Sequence, residues 1–344
     1  MKPSPAVVVA RCALLLLAAG CGGSEARRGA ASDGIVFVRT GAGGDSDPYE
    51  ARLSDGAERR LLHTPQRAET WPFWSESLRR VVLQLPPAGR LGPQLVLLDP
   101  DRGAESALPG AREAVQNWPD WSPDGRRLAY SFRTLSSAGI AVVDAASGER
   151  TASWAGRLVR PIFAPGGERL VAQRIDGNRS SLFVLEPGRD PRALAGEDAY
   201  DDKGRFTRDG AWVVFQRGPR KDAPRDLLRV RPDGTGAERF ASRPDADENA
   251  ADPSPSRDEI AFVSDRDGSF DLFVVAPGGE PRNLSRSPGE DEIAPHWSPD
   301  GERIVVSVED PKGGGEMRVR VVDREGRVLF EAPGMMPSWI APWR

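Results

Sequence analysis

Trp121-Ser122-Pro123-Asp124-Gly125-Arg126-Arg127-Leu128-Ala129-Tyr130 is the stretch on which the fold turns. Pro presets φ, Asp hydrogen-bonds its own backbone and Gly accepts a positive φ, so Ser-Pro-Asp-Gly is a tight turn between two apolar runs. The same phrase returns as Trp297-Ser298-Pro299-Asp300-Gly301-Glu302-Arg303-Ile304-Val305-Val306. Weaker copies begin at Trp74, Phe163, Phe206 and Pro253, and a truncated one at Trp339. The residues after these marks are Ser75, Ser122, Ala164, Thr207, Ser254, Ser298 and Ile340, at intervals of 47, 42, 43, 47, 44 and 42 residues. A period in this range with several short strands per unit is the signature of a β-propeller.

Each unit carries the strands a blade needs. After the turn comes an apolar run such as Ile260-Ala261-Phe262-Val263, then the polar turn Asp265-Arg266-Asp267-Gly268, then Leu272-Phe273-Val274-Val275. A short fourth strand follows around Arg282-Asn283-Leu284. Four strands and three turns make one antiparallel blade. No stretch shows a long apolar period of 3.6 residues, so the chain reads as all-β. The expectation is a seven-bladed β-propeller of four-stranded antiparallel blades over residues 35–344, with six blades if a weak copy such as the one at Phe206 is irregular. The last copy ends soon after its first strand, whereas Ile35-Val36-Phe37-Val38 reads as an orphan second strand. The N- and C-terminal strands are therefore expected to close the ring in one blade.

The first residues read differently. Lys2 and Arg11 supply positive charge, and a short apolar run ends in Leu17-Ala18-Ala19-Gly20-Cys21. Such a run is a signal peptide, too short to span a membrane. Cys21 after small residues resembles the lipobox of bacterial lipoproteins, which implies removal of residues 1–20 and lipidation of Cys21. By the sorting pattern of such lipoproteins, Gly22 points to the periplasmic side of the outer membrane. Residues 21–34, rich in Gly, Ala and Ser, read as a flexible tether. The only cysteines are Cys12 and Cys21, so the domain beyond them has no disulfide or thiol chemistry. A net charge of −4 argues against nucleic acid as a partner.

Trp-Ser-Pro-Asp-Gly followed by an aliphatic strand, and Ile260-Ala261-Phe262-Val263-Ser264-Asp265-Arg266-Asp267-Gly268 above all, resembles the repeats of TolB-type propellers. The resemblance covers residues 35–344. It implies a propeller of a class found in periplasmic adaptors, peptidase accessory domains and some polysaccharide lyases, so it speaks to fold more than to function.

Repeats permit an internal comparison: a position alike in every copy is structural, and one that differs serves the whole molecule. The large aromatics at Trp74, Trp121, Phe163, Phe206, Trp297 and Trp339 read as packing between blades. The residues just before them and before Pro253, namely Phe73, Asp120, Ile162, Arg205, Asp252, His296 and Ser338, vary freely. Of these, Asp120, Arg205, Asp252 and His296 are the polar residues expected to line the central channel. In the loops entering the innermost strands, Glu69, Gln116, Asp202, Glu248 and Glu292 read as one register and are expected to form an acidic channel mouth that attracts a cationic partner. Asp265 to Asp271 has the oxygen ligands of a short calcium loop without its terminal Glu, and is expected to be a hairpin turn.

Enzymatic readings are weak. Two histidines, His63 and His296, exclude metal sites built from several imidazoles. There is no Gly-x-Ser-x-Gly elbow and no phosphate loop, so no cofactor and no metal are expected. The reading is a monomeric, lipid-anchored scaffold that binds a protein or peptide in the cell envelope. The alternative is a carbohydrate-binding or carbohydrate-active propeller.

Overall fold

The computed structural model describes residues 33–41, 43–65, 67–86, 92–110, 115–194, 198–311 and 315–340. The expected signal segment, Cys21 and its tether up to residue 32 lie outside them. Every regular element among the described residues is a β-strand.

The turn chemistry read from sequence is realised atom by atom. Ser122 Oγ donates to Asp124 Oδ1 at 2.5 Å and accepts from Arg127 N at 2.9 Å. Gly125 N reaches back to Ser122 O at 2.7 Å with φ at 67°. Ser298, Asp300 and Gly301 repeat the arrangement with nearly the same distances. Gly125 is required twice over, by its positive φ and because a Cβ there would stand 2.9 Å from Ser77 Oγ and 3.1 Å from Ser75 Oγ of the preceding sheet. Ser75 Oγ donates to Gly125 O at 2.8 Å, so this turn also fastens its sheet to the one before.

Closure is present. Met335–Ile340 pairs antiparallel with Gly34–Thr40, placing Gly34 opposite Ile340 and Ile35 opposite Trp339. Ser46–Arg52 and Glu58–Arg60 complete that sheet. Asp33 adds an ion pair to Arg303 of the neighbouring sheet.

The expectation of seven blades is corrected by the sheet topology. Five blades of four antiparallel strands, not seven, stand as separate sheets; the strands from Leu158–Phe163 to Glu238–Arg239 run together as one eight-stranded sheet. The fusion has a local cause. Arg192–Ala193 is only two residues long and pairs with Phe183 and Val184, leaving the far end of Arg179–Leu185 uncovered. Tyr200 fills that edge through a parallel bridge to Ser180. Ser180 Oγ donates to Asp201 O at 2.7 Å, and Gln173 Nε2 donates to both Ser180 Oγ and Asp201 O. Buried backbone groups left open by a short edge strand are thereby satisfied by the next unit.

The hydrophobic core sits between neighbouring sheets rather than within any one. Trp121, Leu128 and Tyr130 pack with Val82, Leu97 and Leu108 of the adjacent sheet. The register aromatics are all buried, as packing between sheets requires. Trp121 Nε1 donates to Phe73 O at 3.1 Å, and Trp339 Nε1 donates to His296 O at 2.9 Å, so each of these indoles spans to the neighbouring innermost strand.

Candidate functional site

The innermost strands Thr70–Ser75, Val115–Trp121, Leu158–Phe163, Tyr200–Phe206, Glu248–Pro253, Asp291–Trp297 and Met335–Ile340 surround a central channel. All of them carry a β-bulge, seen as register shifts such as Thr70/Phe73, Asn117/Asp120 and Ile293/His296. A bulge puts two residues opposite one and re-aims a side chain. The bulge residues are Trp71, Trp118, Arg160, Lys203, Ala250, Ala294 and Met336, with φ between 49° and 54°. Five of them precede proline (Pro72, Pro119, Pro161, Pro295 and Pro337), a residue that sheets tolerate at bulges because it has no N–H to place in the ladder. At three of the bulges the freed N–H finds an acceptor on the preceding sheet: Gln84 Oε1 for Trp118 at 3.4 Å, Gln216 Oε1 for Ala250 at 2.8 Å and Ser307 Oγ for Met336 at 3.2 Å.

Two cavities lie along the channel, of about 210 and about 230 Å³. Phe73, Ile162, Arg205 and His296 line both, so they are two halves of one passage. The expected channel residues Asp120, Arg205, Asp252 and His296 all line the first half, joined by Phe73, Ile162 and Ser338. Their electrostatics are internally balanced. Asp252 Oδ2 accepts Trp297 N at 2.8 Å, while Oδ1 stands 3.4 Å from Arg205 Nε and 3.8 Å from His296 Nδ1. Burial raises the Asp252 carboxyl, but Arg205, His296 and the Trp297 N–H outweigh it and hold the group below the ordinary range. Asp120 makes the same backbone tie, accepting Phe163 N at 2.7 Å. With weaker compensation, burial pushes its carboxyl up to about 6 despite that bond and the Arg205 charge.

The second half has another character. Six of the bulge residues, Trp71, Trp118, Arg160, Lys203, Ala250 and Ala294, line it. Arg160 Cζ stands 5.3 Å from the Trp118 ring centroid, a cation–π contact. Lys203 Nζ donates to Asn249 Oδ1 at 2.9 Å. Its side chain is exposed to the channel, yet the enclosing channel walls desolvate it, and with Arg160 and Arg225 nearby this pulls its ammonium down to about 8 against Asp202 and Asp247. This mouth is aromatic and cationic.

The expected acidic mouth is corrected on two counts. Glu69, Glu248 and Glu292 are fully buried, and each is paired with an arginine: Arg67 at 2.5 Å, Arg266 at 3.0 Å and Arg320 at 3.0 Å. Gln116 is buried too, its Oε1 accepting Leu95 N at 3.2 Å. Carboxylates enclosed with guanidinium groups project little field into solvent, so they offer no open acidic rim to a cationic partner. The second count concerns register. Relative to the bulge, the residue equivalent to Glu248 and Glu292 is Asp201, not Asp202. Asp201 is buried and takes two bonds from Arg217 at 2.6 Å. Asp202 instead stands 3.9 Å from Arg160 at the cationic half.

Oxygen clusters elsewhere are committed to structure. Asp265 Oδ1 accepts Asp247 N, Asp267 Oδ2 accepts Asn283 Nδ2, and Asp271 bonds Asn283 and Ser287 N. That segment is the hairpin turn between Ile260–Ser264 and Asp271–Val275. Among the described residues, Asp45, Asp47 and His63 bring ligand atoms within 4.8 Å of one another, but Asp47 Oδ2 already meets His63 Nδ1 at 2.9 Å and Arg60 Nη1 at 3.4 Å.

The bulge ring was missed in sequence because it sits three residues before the aromatic mark, where the side chains share nothing. Its signal is the following proline, present in five copies.

The sequence signature of the TolB beta propeller domain spans residues 92–339. Among solved structures, TolB from Acinetobacter baumannii is 15% identical with a TM-score of 0.55, over 90% of this chain and 83% of that one. The β-propeller domain of the trilobed protease from Pyrococcus furiosus is 13% identical with a TM-score of 0.64, over 88% and 95%. An acylaminoacyl peptidase from Pyrococcus horikoshii is 14% identical with a TM-score of 0.61, over 86% of this chain and 50% of that one. At these identities the likeness is one of fold. No curated protein matches the chain.

Proposed function

Because the chain belongs to the TolB β-propeller domain family, we propose that it is a binding scaffold of the bacterial cell envelope whose central channel receives an extended segment of a partner protein. The lipid expected on Cys21 holds it to a membrane in this reading. One observation carries the proposal: along the innermost strands, positions that meet neighbouring sheets repeat their chemistry, and positions that face the channel do not. The passage offers apolar faces at Phe73 and Ile162 and a charged group at Arg205, all reachable from both halves. That mixture of an apolar wall with a few placed polar groups suits a bound ligand. Recognition is favoured over catalysis because Asp120 and Asp252 each spend an oxygen on a backbone N–H of the neighbouring innermost strand.

Peptide and glycan arrays probed with the full mature chain test this. Capture of peptides that is lost in Ile162→Trp, which narrows the channel, supports the proposal. Capture indifferent to that change moves the site off the channel. Capture of glycans alone replaces the reading with the carbohydrate one, for which the indoles of Trp71 and Trp118 are the stacking surface.

A further inference from the structure

We infer that the channel mouth formed by Trp71, Trp118, Arg160 and Lys203 is a carboxylate-binding subsite, and that the peptide segment it takes is acidic. This rests on the reading that the channel receives a peptide, and it reverses the charge of partner expected from sequence.

The backbone carries the first part of the case. Every innermost strand has a left-handed bulge, so the bulge belongs to the fold; its occupant is free to vary. A left-handed residue other than glycine is strained by its Cβ against the following carbonyl. Glycine is used at none of these positions, and two indoles and two cations stand together on neighbouring strands instead. The other bulges carry Ala250, Ala294 and Met336, so what marks this side of the channel is that its four large or charged occupants line one cavity together.

Charge carries the second part. The groups facing Lys203 are Asp202 on its own strand, Arg160 on the preceding innermost strand, and Arg225, Asp247 and Asn249 on its other side. Three cations thus face two anions, and Asp202 is buried. The hydrogen bond of Lys203 goes to the neutral amide of Asn249. Arg160 lies over Trp118, which leaves an apolar ring beside a guanidinium. A carboxylate on an aliphatic stem matches this pairing: its oxygens meet Arg160 and Lys203, and its methylenes meet the indoles. An incoming anion also favours the charged form of an ammonium that its surroundings hold near 8. Binding therefore takes up the protonated lysine and weakens as pH rises through that value.

The test uses the full mature chain and peptides from the array, each made in three forms: with Asp or Glu, with the matching Asn or Gln, and with Lys, every form both free and amidated at its C-terminus. The acidic form is expected to bind about tenfold or more tighter than its amide isostere. Lys203→Gln and Arg160→Gln each remove most of the difference between the acidic and amide forms. Affinity for the acidic form falls above about pH 8, and Lys203→Arg flattens that fall. Melting curves of the variants separate loss of binding from loss of folding. Equal affinity for acid and amide, or tighter binding of the Lys form, overturns the subsite while the channel reading stands. No peptide binding at all overturns both. An oligouronate that binds where acidic peptides do not overturns the choice of a peptide ligand.

Discussion

Two rings run side by side around the entrance to this channel, and they differ in what the innermost strands keep constant. One is the ring of buried acids, Glu69, Asp201, Glu248 and Glu292, each paired with an arginine. The other is the ring of bulge residues from Trp71 to Met336, which share φ near 50° and little chemistry. A ring that repeats its chemistry ties each innermost strand into its own sheet. A ring that repeats only its backbone is free to carry recognition. The two lie at most two residues apart in sequence, yet their consequences for stability and binding are separate.

The sharpest way to break this comparison is to attack the buried ring. Arg320 bonds Glu292 at 3.0 Å, Glu290 at 2.8 Å and Glu331 at 2.5 Å, and is itself nearly buried. Arg320→Met leaves Glu292 enclosed without its partner, and removal of one member of a buried pair costs about 3–5 kcal/mol. Urea denaturation at pH 8 is expected to show a loss of that order. A change below about 1 kcal/mol would make the buried ring as dispensable as the bulge ring.

The second test is a pH slope. Burial, against the opposing pull of Arg266 and Arg320, pushes the carboxyls of Glu248 and Glu292 up to about 7. Their folded-state pKa lies above the unfolded value of about 4.3, so the folded chain binds more protons between the two. These groups therefore contribute stability in acid that is lost as pH rises from roughly 4.3 through 7. The double variant Glu248→Gln and Glu292→Gln is expected to flatten that part of the stability profile relative to the parent. Parallel curves would contradict it.

The bulge ring should respond in the opposite sense. Trp71→Ala with Trp118→Ala is expected to shift the unfolding free energy by less than about 1 kcal/mol, because Trp71 is 39% exposed and neither ring belongs to the packed core. Binding of a channel ligand should still fall. A loss of several kcal/mol on denaturation would assign the indoles to the scaffold. The smallest effect is expected at Ala250→Gly, where φ is 52°. Relief of about 1–2 kcal/mol of left-handed strain outweighs the roughly 0.5–1 kcal/mol entropic cost of glycine, leaving a net gain of about 0.5 kcal/mol. A measurable destabilisation would mean the bulge is not strained.

Legibility follows the range of the forces involved. The Ser-Pro-Asp-Gly turns were readable because they depend on spacing within one repeat, and the closing pair of Ile35 and Trp339 because the two termini carry complementary parts of one repeat. The fused sheet was not, because it turns on how far Arg192–Ala193 covers its neighbour, a matter of two residues. The acidic residues were visible as acids, but apart from Arg67, two residues from Glu69, the arginines that enclose them come from elsewhere: Arg320 is 28 positions from Glu292 and Arg266 is 18 from Glu248. Asp202 does not belong to that register: Glu69, Gln116, Glu248 and Glu292 each stand five residues before their marks, and the residue five before Phe206 is Asp201.

What the sequence alone determined is the repeating frame: turn residues with preset φ, apolar strands at a period in the forties, aromatics for the seams and a ring that closes on itself. All of these arise from local conformational preference and from the alternation of a strand. Only the tertiary structure decided which charges face the channel. A carboxylate's effect depends on what stands beside it, and at Glu69, Asp201, Glu248 and Glu292 that neighbour is a guanidinium brought in by another strand or loop. The cations that line the second half of the channel are Arg160 and Lys203, at bulge positions, and charge is felt through distance in space and enclosure from water rather than through order along the chain.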